Sequence, residues 1–252
     1  MKAILLAAGS GVRLGSLTKE IPKALIDING KTLLERQIIA LQKNDINDII
    51  VVTGPNSDKF EIKDITYIHD SNYLNHDVLG TMMSVIDYMD SDVIVSYTDI
   101  VFDEKIIYSI KNGKSDINIA VEMDWERAYV NRTEHTVDEA ANVLIENELI
   151  KKIGHQTKEF GFFEKDNIGE FLGIMKLSQK GVDIFKNEYL RLIKNHEGEF
   201  HEAISIKKGY ITDLIQELID MNYKIHPVLV TGNWCEIDTL QDLQEAKKKF
   251  IS

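Results

Sequence analysis

Gly9, Gly11, Arg13, Lys19 and Lys23 combine backbone freedom with positive charge in one short stretch near the start of the chain. Glycines let a loop turn tightly without a Cβ clash, and a loop whose unpaired amides converge binds anions well. Three cations in the same loop strengthen that preference. Just before it, Ile4, Leu5 and Leu6 form the short apolar run expected of a strand covered on both faces. A strand feeding a glycine-rich, basic loop predicts a site for a nucleotide's phosphate chain.

Two well-known phosphate loops do not match. The ATPase loop needs a glycine, four residues, then Gly-Lys-Ser/Thr. Gly30-Lys31-Thr32 and Gly113-Lys114-Ser115 supply the tripeptide, but Leu25 and Tyr108 stand where the first glycine belongs. The dinucleotide fingerprint G-x-G-x-x-G finds Leu14 at its third glycine, with Gly15 one residue late, and the next apolar run, Asp48 to Val52, leads into Thr53-Gly54 rather than a ribose-binding carboxylate.

What the residues do carry is G-x-G-x-R-L-x-x-L-T-x-x-x-P-K, at Gly9, Gly11, Arg13, Leu14, Leu17, Thr18, Pro22 and Lys23. This resembles the signature of the nucleotidyltransferases that make nucleoside-diphosphate sugars and cytidine-diphosphate alcohols. Ser16 is a departure, since many members have proline there. The plain alternative is a tight turn with a solvated basic rim. The resemblance implies an α/β, Rossmann-like nucleotidyltransferase fold with a central, mostly parallel (mixed) sheet and helices on both faces. It also implies nucleotide contacts from Leu6, Ala7, Ala8, Gly9, Ser10 and Gly11, with Arg13 and Lys23 as catalytic cations.

Asp99 closes the apolar run Val93–Tyr97. A lone aspartate there is ordinarily a turn residue, but Tyr97-Thr98-Asp99 resembles the family's first metal site. The late string W-C-E-I-D-T-L-Q-D-L, residues 234–243, is similar to the C-terminal metal-binding segment of phosphocholine cytidylyltransferases and implies Asp238 as the second ligand. Thr239 and Asp242 also read as a capping box opening a helix. On this resemblance Mg²⁺ held by Asp99 and Asp238 is the expected cofactor, a hard ion that favours oxygen ligands. Arg13 and Lys23 would stabilise charge on the α-phosphate while an acceptor phosphate attacks and pyrophosphate leaves. A phosphate monoester is already largely dianionic at neutral pH, so no general base is required.

Leu79-Gly80-Thr81 is similar to the base-contacting turn of uridylyl- and thymidylyltransferases, which makes Gly80 and Thr81 further nucleotide contacts and favours sugar acceptors. The 234–243 string favours CTP and a small phosphorylated acceptor. Between them, D-W-E-R-A-Y-V-N-R-T-E-H-T-V-D-E-A, residues 124–140, is similar to an insertion in cytidylyltransferases of phosphonate and capsule phosphoramidate pathways. On that likeness an acceptor-binding insertion is expected around 124–165, with Trp125, Arg127, Tyr129 and Arg132 on the acceptor, which would be of phosphoglutamine, phosphocholine or 2-aminoethylphosphonate type. The alternative is an exposed amphipathic segment whose aromatics pack on the sheet. His69, His76, His155, His196, His201 and His226 show no metal spacing and are expected to be surface or hydrogen-bonded residues.

These residues need a scaffold, and the hydrophobic pattern supplies one. Strands are expected at Ile4–Ala8, Asp48–Val52, Tyr67-Ile68, Val93–Tyr97, Ile117–Met123 and Lys224–Val230, and helices at about Thr32–Lys43, Gly80–Met89, Ser178–Asn195, Tyr210–Met221 and from Thr239. Alternating strands and helices of this kind build a mostly parallel sheet whose ligands collect beyond the strand C-terminal ends. With 252 residues, 44% of them hydrophobic, one domain spanning 1–252 is expected. The net charge is −12, yet residues 1–36 hold six Lys/Arg against three Asp/Glu. That balance disfavours long nucleic acids as partners and keeps a small polyanion plausible. The single Cys235 excludes an internal disulfide and suits a reducing compartment. No apolar run reaches the ~20 residues of a membrane span, and the N-terminal run is too short for a signal peptide. The expectation is a cytoplasmic enzyme, with a homodimer possible and no membrane partner. Two other readings stay open: a sugar-1-phosphate uridylyl- or thymidylyltransferase, and a nucleotide-binding regulatory subunit, against which the metal pair argues.

Overall fold

The computed structural model describes residues 1–9, 11–155 and 167–251. In chain order the elements are β1 (Lys2–Ala7), β2 (Asp27–Ile28), β3 (Lys31–Thr32), α1 (Leu33–Gln42), β4 (Asp48–Thr53), β5 (Thr66–His69), α2 (Val78–Met83), β6 (Val93–Tyr97), β7 (Ile100–Phe102) and α3 (Glu104–Lys111). There follow β8 (Ile117–Glu122), β9 (Asn142–Glu146), β10 (Leu149–Gly154), β11 (Ile168–Leu177), α4 (Gln179–Asn195), α5 (Ile211–Asp220), β12 (His226–Leu229), β13 (Trp234–Glu236) and α6 (Leu240–Lys249).

Among the described residues the main sheet has nine strands, running β10-β9-β11-β6-β1-β4-β5, with β8 on β11 and β12 on β8. β6, β1, β4 and β5 are parallel, while β11 runs antiparallel to β6, β8 and β9. β1 is covered on both sides because its alternating side chains feed two cores. Ala3, Leu5 and Ala7 pack with Leu34, Ile38 and Leu41 of α1 and with Ile106 and Ile110 of α3. Ile4 and Leu6 join Leu79 and Met82 of α2, Phe185 of α4 and Leu214 of α5. Helices therefore lie on both faces, as expected.

Helix starts follow their caps. Thr32 with Glu35 and Thr239 with Asp242 form complete capping boxes at α1 and α6, and Ser178 accepts from the Gly181 N–H at the start of α4. α2 corrects two expectations. It ends at Met83, short of Met89, and it contains Leu79-Gly80-Thr81 as helix rather than turn. A Cβ on Gly80 would fall 2.3 Å from the His76 ring, so glycine there allows the His76 side chain to lie on the helix.

β11 provides the main departure from a regular sheet. Residues 168–170 pair with β9, residues 174–177 pair with β6, and the register to β8 shifts between Phe171 and Met175. Gly173 sits at this irregularity with φ +68°, a left-handed conformation costly for other residues. A Cβ there would lie 2.6 Å from the Tyr97 ring.

Candidate active site

The glycine loop is tied down from several directions. Thr98 Oγ1 donates to the Leu6 carbonyl at 2.8 Å, anchoring the end of β1 to the end of β6. Thr18 Oγ1 donates to the Gly11 carbonyl at 2.7 Å, closing the loop on itself. Gly11 has φ +60°, and a Cβ there would press on Lys23 Cβ and Thr18 Cγ2 at 3.1 Å each. Leu14 is buried with Val101, Cys235, Ile237 and Leu243, so the loop shares a small core with the C-terminal segment.

That shared core matters because it carries Asp238. β13 pairs antiparallel with β7, and the Ile237 N–H donates to the Asp99 carbonyl at 2.8 Å. Two acidic segments far apart in sequence thus meet. The amide of Gln37, fully buried on α1, donates to the Tyr97 and Ile100 carbonyls at 2.8 and 2.5 Å and holds the loop that bears Asp99.

Lys23 Nζ lies 3.3 Å from Asp99 Oδ2 and also bonds Asp238 Oδ1. Arg13 Nη2 bonds the other Asp238 oxygen at 2.6 Å, and its Nη1 pairs with Glu139. Burial works against the Lys23 ammonium, but Asp99 and Asp238 outweigh it and raise its pKa. Glu236 is pushed up to about 7, by burial first and then by Asp238 and Asp99. The site is therefore a compact set of charges in which each cation is shared.

Beside the set opens a cleft of about 480 Å³. Of the residues expected at the site, Leu6, Ala8, Gly9, Arg13, Thr81, Asp99 and Asp238 line it. Ala7 points into the α1-side core, and Gly11, Lys23 and Gly80 are not in the lining. Ser10 lies outside the described residues. Thr81 Oγ1 donates to Asp70 Oδ2 at 3.1 Å, and Asp70 Oδ1 lies 3.2 Å from His76 Nε2.

The four residues expected on the acceptor do not line this cleft. Arg132 is buried, its side chain 4% exposed, with Nε 2.9 Å from Asp242 Oδ1 and Nη2 donating to the Glu236 carbonyl at 2.8 Å. Tyr129 donates its hydroxyl to Glu170, and Trp125 Nε1 donates to the Ile168 carbonyl at 3.2 Å. Arg127 is exposed and pairs with Asp124 at 2.7 Å. The physical reason is packing: Trp125, Tyr129 and Ala140 form a small core of their own, which turns the segment's aromatics inward. The part of the expected insertion between 156 and 165 lies outside the described residues.

Sequence reasoning missed Glu170 in the cleft lining and Gln37 behind it, and it gave no site role to Glu139 and His135 of the 124–140 segment or to Glu236 beside Asp238. His135 is buried, with Nε2 3.6 Å from Glu236 Oε2 and Nδ1 3.5 Å from Asp242 Oδ2 and 3.8 Å from Asp238 Oδ2. Burial works against its imidazolium, but Asp242 and Glu236 outweigh that and raise its pKa. Only the Glu236-Ile237-Asp238 spacing pointed this way in the sequence.

The donor set fits a hard divalent cation. Asp99 and Asp238 already share one positive charge, Lys23 Nζ, and ligand atoms of His135, Glu236 and Asp238 lie within 4.8 Å of one another. Oxygen-rich sets of this kind suit Mg²⁺.

Comparison with known proteins shows the family and the fold. The family model described as "MobA-like NTP transferase domain" matches residues 3–249. The CTP:phosphoglutamine cytidylyltransferase of Campylobacter jejuni is 28% identical, over 97% of this chain and 98% of the relative. The bifunctional protein GlmU of Methanococcus maripaludis is also 28% identical over the whole chain, which spans about half, 55%, of that relative's length. Among solved structures, the CTP:phosphocholine cytidylyltransferase of Streptococcus pneumoniae superposes with a TM-score of 0.69 at 20% identity, covering 98% of this chain and 97% of that one, a likeness of fold.

Proposed function

The chain belongs to the MobA-like NTP transferase domain family, and from that premise we propose that it is a Mg²⁺-dependent cytidylyltransferase that moves CMP from CTP to a small phosphorylated or phosphonate acceptor. One observation carries the chemistry: Lys23 and Arg13 converge on Asp238, with Asp99 beside them, at the C-terminal end of β1 and next to the cleft. The preference for CTP is supported by the Campylobacter relative, which matches this chain over nearly its full length.

A divalent ion held by Asp99 and Asp238 would neutralise charge on the triphosphate. The chain's own groups do the rest. Gly9 and neighbouring backbone receive the phosphates, Arg13 lies open to the cleft for the α-phosphate, and Lys23 sets the charge and position of Asp238. The acceptor phosphate attacks the α-phosphorus in line, the bond to the bridging oxygen breaks, and pyrophosphate leaves with that electron pair. Tyr97, Phe171 and Trp234 wall the cleft with apolar surface and shield the reacting groups from water.

Pyrophosphate release measured with CTP, UTP, dTTP and ATP across phosphorylated acceptors tests the reading. Turnover with CTP and a small amino- or amide-bearing acceptor, abolished by EDTA, is the expected result. Preference for UTP or dTTP with a sugar 1-phosphate would replace it with the sugar-nucleotide reading, and binding of nucleotide without turnover would favour a regulatory subunit.

A further inference from the structure

Glu170 is a cleft-lining carboxylate that the mechanism leaves unused and that is only half paired among the described residues. It is 3% exposed and lines the cleft, on the stretch of β11 between β9 and the Gly173 irregularity. Its Oε1 accepts from the Tyr129 hydroxyl, while Oε2 is buried and has no hydrogen-bond partner among the described residues. Buried carboxyl oxygens are nearly always partnered, so an unpartnered one on a cleft-lining residue calls for a donor that the described protein groups do not supply. Thr212 Oγ1, also buried, on a cleft-lining residue and without a partner among the described residues, is a second such group.

Position says which part of the ligand meets Glu170. The phosphate loop follows β1, and β11 lies two strands away, across β6. Two strand spacings come to about 10 Å, the reach of a small phosphorylated molecule rather than of the phosphate itself. Charge narrows what the group is. Glu139 in the same lining is paired with Arg13, which leaves Glu170 itself as an acceptor at this part of the wall, suited to a positive or strongly polarised donor.

We propose that Glu170 reads an N–H group, a primary ammonium or a carboxamide, at the end of the acceptor remote from its phosphate. The proposal rests on the nucleotidyltransferase reading for the identity of the acceptor, and it selects against quaternary ammonium and nitrogen-free acceptors, which present no N–H to Oε2. Glu170→Gln keeps the side chain's size and an oxygen for the Tyr129 hydroxyl, but it turns an amide N–H toward the ligand.

The test is direct binding by titration calorimetry, parent against Glu170→Gln, with four probes: O-phosphoethanolamine, a phosphorylated carboxamide, phosphocholine and glycerol 3-phosphate. One of the first two should bind the parent at least about 10-fold more tightly than the last two, and Glu170→Gln should erase that preference while leaving glycerol 3-phosphate unchanged. Whether the favoured probe is the ammonium or the carboxamide identifies the group. A parent with no such preference, including one to which neither N–H probe binds measurably, overturns the proposal, as does a preference that survives in Glu170→Gln. Because no turnover is read, failure of every nucleotide to release pyrophosphate would sink the cytidylyltransferase reading separately.

Discussion

Lys23 occupies the position that a second cation would contest, and this sets the consequences of removing it. Its ammonium is shared by Asp99 and Asp238, both of which are also the candidate metal ligands. Lys23→Ala should lower kcat by about 10²-fold or more, because Asp238 loses the ammonium that sets its charge and position. The variant should also be less stable without metal, because two carboxylates lose their shared counter-charge in a largely buried site. Mg²⁺ should therefore raise the Tm of Lys23→Ala more than that of the parent, which a pair of thermal scans with and without EDTA would show. Equal metal responses would mean that Lys23 and the ion do not share ligands. Asp99→Asn and Asp238→Asn should each abolish metal-dependent turnover. Of the two, Asp238→Asn should cost more stability, since Asp238 is the more buried and holds both Arg13 and Lys23.

At the scale of elements, the cleft depends on a strand that changes partners. Gly173 gives β11 its irregularity beside Tyr97, and alanine there would need both a left-handed φ and displacement of an aromatic ring. Gly173→Ala should destabilise the fold by about 1–3 kcal/mol and weaken acceptor binding, read by denaturant unfolding and by the acceptor KM. A variant as stable as the parent with an unchanged KM would show that β11 absorbs the Cβ without altering the cleft. Here the limits of the sequence become concrete. β1, the glycine loop and the parallel strands were legible because local spacing and hydrophobic runs determine them. α1, α4 and α6 were legible because their caps are written next to them. β11 was not, since the residue that bends it, Gly173, looks like any other glycine. The segment 124–140 misled for a different reason: its arginines and aromatics have the chemistry of a ligand site, but Trp125 and Tyr129 are claimed by a local core and Arg132 by Asp242. Glu170 was invisible in the sequence because its meaning comes from Tyr129, 41 residues away.

For the whole molecule, Glu170 couples the cleft to stability in a pH-dependent way. Burial, followed at longer range by Glu236 and Glu122, raises its pKa from 4.5 to about 8, against the opposing effects of the Tyr129 hydrogen bond and Arg132. A raised folded-state pKa means that the protonated carboxyl favours folding. That contribution is fully present below the unfolded value of 4.5 and is lost as pH rises through about 8. The parent should therefore lose stability between pH 5 and 9 more steeply than Glu170→Gln, whose neutral amide does not titrate. For a domain of this size each 1 kcal/mol is about 2–4 °C in Tm, so the divergence is within reach of thermal scans at several pH values. The other acidic groups that give the chain its net charge of −12 are common to both proteins, and only the difference in slope reports on Glu170. Parallel Tm profiles would mean that Glu170 is already ionised in the folded protein at neutral pH. A ligand donor at Oε2 should lower the Glu170 pKa and flatten the parent's profile, which ties occupancy of the cleft to the pH range in which the fold is most stable.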